Sequence, residues 1–112
     1  NQDKIFWRNL CLNPNGINIL KNNKDKIDWE LICENYNAIE ILQENLDKID
    51  WYRLSENANA IHLLEANLDK IYWNKFCKNI HPKAIEIIDK NINNLNKKDN
   101  NFNLIIAQNS MH

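Results

Sequence analysis

Four tryptophans, Trp7, Trp29, Trp51 and Trp73, stand 22 residues apart, each preceded at one offset by Asp-Lys-Ile: Asp3-Lys4-Ile5, Asp25-Lys26-Ile27, Asp47-Lys48-Ile49 and Asp69-Lys70-Ile71. A period this short holds one supersecondary unit per copy. Such a unit is too small to close a core of its own, so the chain can bury apolar surface only by setting each copy against the next. Four units are expected, at 3–24, 25–46, 47–68 and 69–92, with 93–112 as a divergent capping copy ending in a frayed tail. That the chain opens at Asn1 and enters the repeat half-way is expected of a window on a longer array.

The unit reads most cleanly from Asp47 to Leu68, and two short helices fit it. From about Asp50 to Glu56, Trp51, Leu54 and Ser55 fall on one side, with Asp28 and Asp50 as caps in successive copies. From Asn59 to Asn67, Ala60, Leu64 and Leu68 with Ile61 form a buried stripe, repeated as Ile17, Leu20; Ala38, Ile39, Leu42; and Ala84, Ile85, Ile88. Asn13, Asn35 or Asn37, and Asn57 or Asn59 offer side-chain oxygens to first-turn amides, and Pro14 and Pro82 suit a first turn. Asn45 and Asn67 suit a left-handed exit. Helices of about 7 to 10 residues do not hold alone in water, so stacking is obligatory. The expected fold is all-α, an α-solenoid of stacked short helix-turn-helix repeats of 22 residues. A leucine-rich β reading needs a Leu-x-Leu strand that the chain lacks.

Copies that break the pattern predict local changes. The fourth has two extra residues between Cys77 and Pro82 and must bulge there; the first carries Gly16 for Ala and Phe6 for Asp.

The run DKIDWYRLSENANAI from Asp47 to Ile61, continued as HLLEANLDKI, closely resembles the tandem repeats of proteins of mimivirus-like giant DNA viruses, over about residues 3 to 92. Those repeats read Leu-Ser-x-Asn-Pro-x-Ala-Ile and Asp-Lys-Ile-x-Trp; here Pro is kept only at Pro14 and Pro82, while Tyr36 and Ala58 replace it in the middle copies. The resemblance implies a viral α-helical repeat protein and carries no activity with it. The abundance of Asn, Lys and Ile (23, 12 and 17 residues), whose codons are AT-rich, agrees with such a genome.

A formal charge of −1 and a pI of about 6.3 give no net attraction to nucleic acid or anionic lipid. Apolar residues never run long enough to span a bilayer. Cys11, Cys33 and Cys77 share one repeat position with Ser55, a place for a small, weakly polar side chain; copies one repeat apart hold the sulfurs too far apart for a disulfide. Free thiols fit a reducing compartment such as a host cytoplasm, or a virion. No Cys or His spacing offers metal ligands, His62, His81 and His112 share no position with a nucleophile, and one Gly makes no phosphate loop, so no catalytic residue, cofactor or small-molecule substrate is expected. The tryptophans are expected in the core.

Specificity must then rest on positions that change while the frame repeats: Arg8, Glu30, Tyr52, Arg53 and Lys75 beside the tryptophans, and His62 on the second helix. The leading expectation is a non-enzymatic scaffold binding another protein there, centred on Tyr52 and Arg53. A structural component whose open ends or faces pack on copies of itself is the alternative. Nucleic-acid binding through Lys70, Lys75 and Lys78 ranks third.

Overall fold

The computed structural model describes residues 2–92, and over them all regular structure is helical, with no strand. The expected capping copy at 93–112 lies outside the described residues. Eight α-helices follow in order: α1 Gln2–Leu12, α2 Ile17–Lys21, α3 Trp29–Ile32, α4 Ile39–Gln43, α5 Trp51–Leu54, α6 Ile61–Glu65, α7 Trp73–Phe76 and α8 Lys83–Lys90. In the second to fourth copies the Asp-Lys-Ile segment makes one 3-10 turn, at Lys24–Lys26, Leu46–Lys48 and Leu68–Lys70. The chain then extends through a buried Ile27, Ile49 or Ile71.

Asp starts the next helix for a local reason. Asp28 Oδ1 accepts from the amides of Glu30 and Leu31, and Asp50 Oδ1 from that of Arg53, which fills orphan donors of α3 and α5. Phe6 stands at that position in the first copy, and there the helix runs unbroken through Asp3-Lys4-Ile5 as α1. With no capping carboxylate to interrupt it, helix propagation wins.

The second helix is shorter than the spacing predicts. A 3-10 turn at Ala58–Ala60 leads into α6, which ends at Glu65; Leu68, expected on the buried stripe, opens the next turn and is partly exposed, and Leu63 is buried instead. The expected left-handed exits at Asn45 and Asn67 are absent: no described residue has a positive φ, and these two lie at −139° and −136°. The asparagines end the helix through their side chains. Asn23, Asn45, Asn67 and Asn91 each donate from Nδ2 to the carbonyl four residues earlier, at 2.7–2.9 Å, adding a donor to the last turn of the helix.

Two apolar columns at the repeat spacing form the core: Ile32, Leu54 and Phe76 from the first helices, and Leu20, Leu42, Leu64 and Ile88 from the second. The tryptophans are mostly not part of it. Only Trp73 is buried, edge-on to Phe76 at 5.5 Å between ring centroids, while Trp7, Trp29 and Trp51 pack against the core with one flank outward. Trp29 and Trp51 each start a four-residue helix, beside the column that Ile32 and Leu54 fill. Ile85, also expected in the buried stripe, is exposed.

The two extra residues of the fourth copy fall between Asn79, which keeps its place 22 residues after Asn57, and Ala84. They lift Ile80 into solvent and replace the 3-10 turn by a longer helix, whose first amide, Lys83 N, donates to His81 Nδ1 at 3.0 Å. Gly16 answers a close approach. A Cβ there would stand 2.7 Å from the Leu10 carbonyl oxygen and 2.7 Å from Leu10 Cδ1.

Candidate functional site

Consecutive copies are joined by a ladder of buried asparagines. Asn35 Nδ2 donates to the carbonyls of Cys11 and Asn13 at 2.8 and 3.0 Å. Asn57 repeats this to Cys33 and Asn35 at 2.9 and 3.2 Å, and Asn79 to Ser55 and Asn57 at 3.1 Å each. Their Oδ1 atoms accept from the amides of Asn37, Asn59 and His81, two residues on. The position demands two donors and an acceptor on a short stem, which only a carboxamide of this length supplies. An outer rung runs beside it, with Asn37 Nδ2 donating to the Pro14 carbonyl and Asn59 Nδ2 to that of Tyr36, both at 2.9 Å.

The shared Cys/Ser position makes a second tie between copies. Cys11 Sγ accepts from Asp28 N and Cys33 Sγ from Asp50 N at 3.4 Å, and Ser55 Oγ accepts from Tyr72 N at 2.9 Å. In the other direction Cys33 donates to the Trp29 carbonyl and Ser55 to that of Trp51, at 3.1 and 2.7 Å. The group must therefore both donate and accept, which thiol and hydroxyl share. Burial pushes the Cys33 thiol up to about 11, with the Asp50 amide pulling back less, and raises Cys11 in the same way. Such thiols stay protonated and inert at neutral pH.

On this frame, four of the six residues singled out from the sequence come together. Arg53 pairs with Glu34 of the preceding copy, lies 3.8 Å from Glu30 and 3.3 Å from Asp50, and its guanidinium is held protonated by Glu34 first. Lys75, one repeat later, pairs with Glu56 at 2.9 Å and sits 4.9 Å over the Tyr52 ring. Tyr52 meets Tyr72 edge to face at 5.4 Å. Arg53, Glu34, Tyr52, Lys75 and Glu56 border a furrow of about 420 Å³ that also takes in Tyr36, while Tyr72 lines a neighbouring one. Arg8 stands apart from them against Asp28, at 3.7 Å. His62 lies on a different helix, exposed, 3.9 Å from Glu65 and with its ring 6.5 Å from that of His81.

A larger furrow of about 780 Å³ opens where Trp51 and Tyr52 face the Asp69-Lys70-Ile71 turn, and one of about 480 Å³ opens at the same place between Trp7 and Asp25-Lys26-Ile27. The recurrence marks these as seams of the repeat. Lys75 is committed to Glu56 and Tyr52, so Lys70, Lys75 and Lys78 do not make a row of unpaired cations. Among the described residues no group of three His, Cys, Asp or Glu is placed to hold a metal ion, and no helix is long and apolar enough to cross a membrane.

The spacing pointed to Tyr52, Arg53, Glu30 and Lys75 but missed Tyr72, which replaces the capping Asp and thereby becomes half of the exposed tyrosine pair. The loss of the cap that Asp28 and Asp50 supply in the two middle copies was the available signal. The chain matches no family model, no curated protein and no solved structure.

Proposed function

We propose that the chain is a non-enzymatic α-solenoid scaffold, built of 22-residue repeats, that binds another protein through the face bearing Tyr52, Tyr72, Lys75 and the carboxylates around Arg53. One observation carries the reading: a frame of recurring hydrogen bonds from one copy to the next supports side chains that do not recur, gathered at one furrow. A constant backbone frame with a changing face is how repeat arrays acquire partners. Exposed tyrosines held by a neighbouring ring or cation give contact area at little entropic cost. The partner segment is one with mixed charge and an apolar anchor, since acids and bases alternate along the face. A reducing compartment fits the buried thiols, and the giant-virus resemblance of the motif makes the partner a viral or host protein.

Arg53 is a poor residue to remove in a test, because it ties together carboxylates from two copies. Tyr52→Ala combined with Tyr72→Ala leaves those pairs in place. For a partner identified by capture from infected-cell lysate and then purified, the double variant is expected to lose about 10-fold or more in affinity at unchanged melting temperature, as for contact residues worth roughly 2 kcal/mol. Unchanged affinity overturns this face. The alternative is a structural component that packs on copies of itself.

A further inference from the structure

Two repeat positions meet at the mouth of each seam: the one after a tryptophan, held by Arg8, Glu30 and Tyr52, and the one before the next tryptophan, held by Asp28, Asp50 and Tyr72. In the first seam they form an ion pair, Arg8 with Asp28 at 3.7 Å. In the second they are two carboxylates, Glu30 and Asp50, held together by Arg53. In the third they are rings, Tyr52 and Tyr72, 5.4 Å apart. The change to tyrosine costs the fold something, because α7 starts at Tyr72 without the side-chain cap that Asp28 and Asp50 give α3 and α5. Both rings stand in solvent, 44% and 51% exposed. Exposed rings that give up a cap and add nothing to the core are placed for contact with something outside the chain.

The chain's own lysines show which group such rings accept. Lys48 Nζ lies 5.6 Å over the Trp29 ring and Lys75 Nζ 4.9 Å over the Tyr52 ring, each reaching back from the following copy. The negative face of an aromatic ring attracts a cation, and the alkyl stem behind the charge covers apolar surface. Lys70, the counterpart of Lys48, lies over no ring, so among the described residues neither Trp51 nor Tyr72 carries a cation. These two rings line the furrow of about 780 Å³. Charge points the same way. Asp69, exposed on the wall of that furrow, has no ion-pair partner among the described residues, and Arg53 beside it is outnumbered by Glu30, Glu34 and Asp50. Lys70, on the same wall, offsets one of these charges.

We propose that this furrow seats a basic side chain, lysine or arginine, of the partner segment, with its cation against Tyr72 and Trp51 and beside the Asp69 carboxylate. The inference rests on the reading of the Tyr52–Tyr72 face as a protein-binding surface and names what that surface selects.

Selection of a random linear peptide library on the full chain tests this, with the affinities of selected peptides read by fluorescence anisotropy. The peptides are expected to share one lysine or arginine, and replacing it by norleucine, of similar length without charge, should weaken binding about 10-fold or more. Asp69→Asn should weaken the same peptide about 2- to 5-fold, while Lys70→Ala, which removes a competing cation, should tighten it by about as much, both at unchanged melting temperature. Damage to the fold would not give opposite signs, and effects of like sign overturn the proposal. Selected peptides that lose affinity in Tyr52→Ala with Tyr72→Ala but tolerate norleucine, or carry no basic residue, overturn it and leave the protein-binding face standing. If no selected peptide depends on the tyrosine pair, the face itself fails and the proposal with it.

Discussion

Asn57→Ala removes one rung of the ladder from the middle of the chain, and its cost can be worked bond by bond. The side chain is 3% exposed and makes three hydrogen bonds. The Cys33 carbonyl loses the Nδ2 donor at 2.9 Å, at about 1 to 3 kcal/mol for a buried acceptor left bare. The Asn59 amide loses its cap, at about 0.5 to 2 kcal/mol. The Asn35 carbonyl keeps Ala38 N at 3.2 Å and adds little. The sum is roughly 2 to 5 kcal/mol, a large fraction of the stability of a chain this size. Asn13→Ala is the internal control, because that side chain caps Asn15 and supports no earlier described copy; about 0.5 to 2 kcal/mol is expected. Asn57→Asp preserves the shape and the acceptor for Asn59 but sets an anion against two carbonyl oxygens, so at neutral pH it should cost more than Ala. Urea unfolding followed by circular dichroism and tryptophan fluorescence measures all three. If Asn57→Ala costs no more than Asn13→Ala, the donations between copies contribute nothing and the ladder argument fails.

Trp73→Ala should cost about 3 to 5 kcal/mol and Trp51→Ala clearly less, since only Trp73 is buried; equal losses in urea unfolding would return all the tryptophans to the core. Gly16→Ala should destabilise by about 1 to 3 kcal/mol, because the Leu10 carbonyl cannot move aside as a side chain can; an unchanged melting temperature refutes the close approach. Cys33 holds its proton more tightly folded than unfolded, so its contribution is complete below the ordinary thiol pKa of 9.0 and is lost as pH rises toward about 11. Cys33→Ser keeps both bonds, as Ser55 does, and does not titrate there; wild type should therefore lose roughly 2 to 3 kcal/mol more than the variant between about pH 8 and 11, and parallel pH profiles would refute this.

The 22-residue recurrence, the helical content, the capping role of Asp28 and Asp50 and the place of the insertion in the fourth copy were all legible in the sequence, because each depends on contacts within a few residues. That Glu30 and Tyr52 share one repeat position, and Arg53 and Lys75 the next, was legible too; that these four gather while Arg8 stands apart was not. Other features depended on what lies across the seam between copies. Spacing placed Asn57 at a helix start, but an identical spacing would serve a cap alone; only the approach of the Cys33 and Asn35 carbonyls makes it a tie between copies. Tryptophan looked like core because it recurs with Leu and Ile, yet the column formed by Ile32, Leu54 and Phe76 fills the interior first and leaves three indoles at its edge. Ile19 and Ile41 are the same residue at the same repeat position, and no local rule separates them. One is exposed and the other buried, because burial belongs to a pair of surfaces and is settled only in the tertiary arrangement.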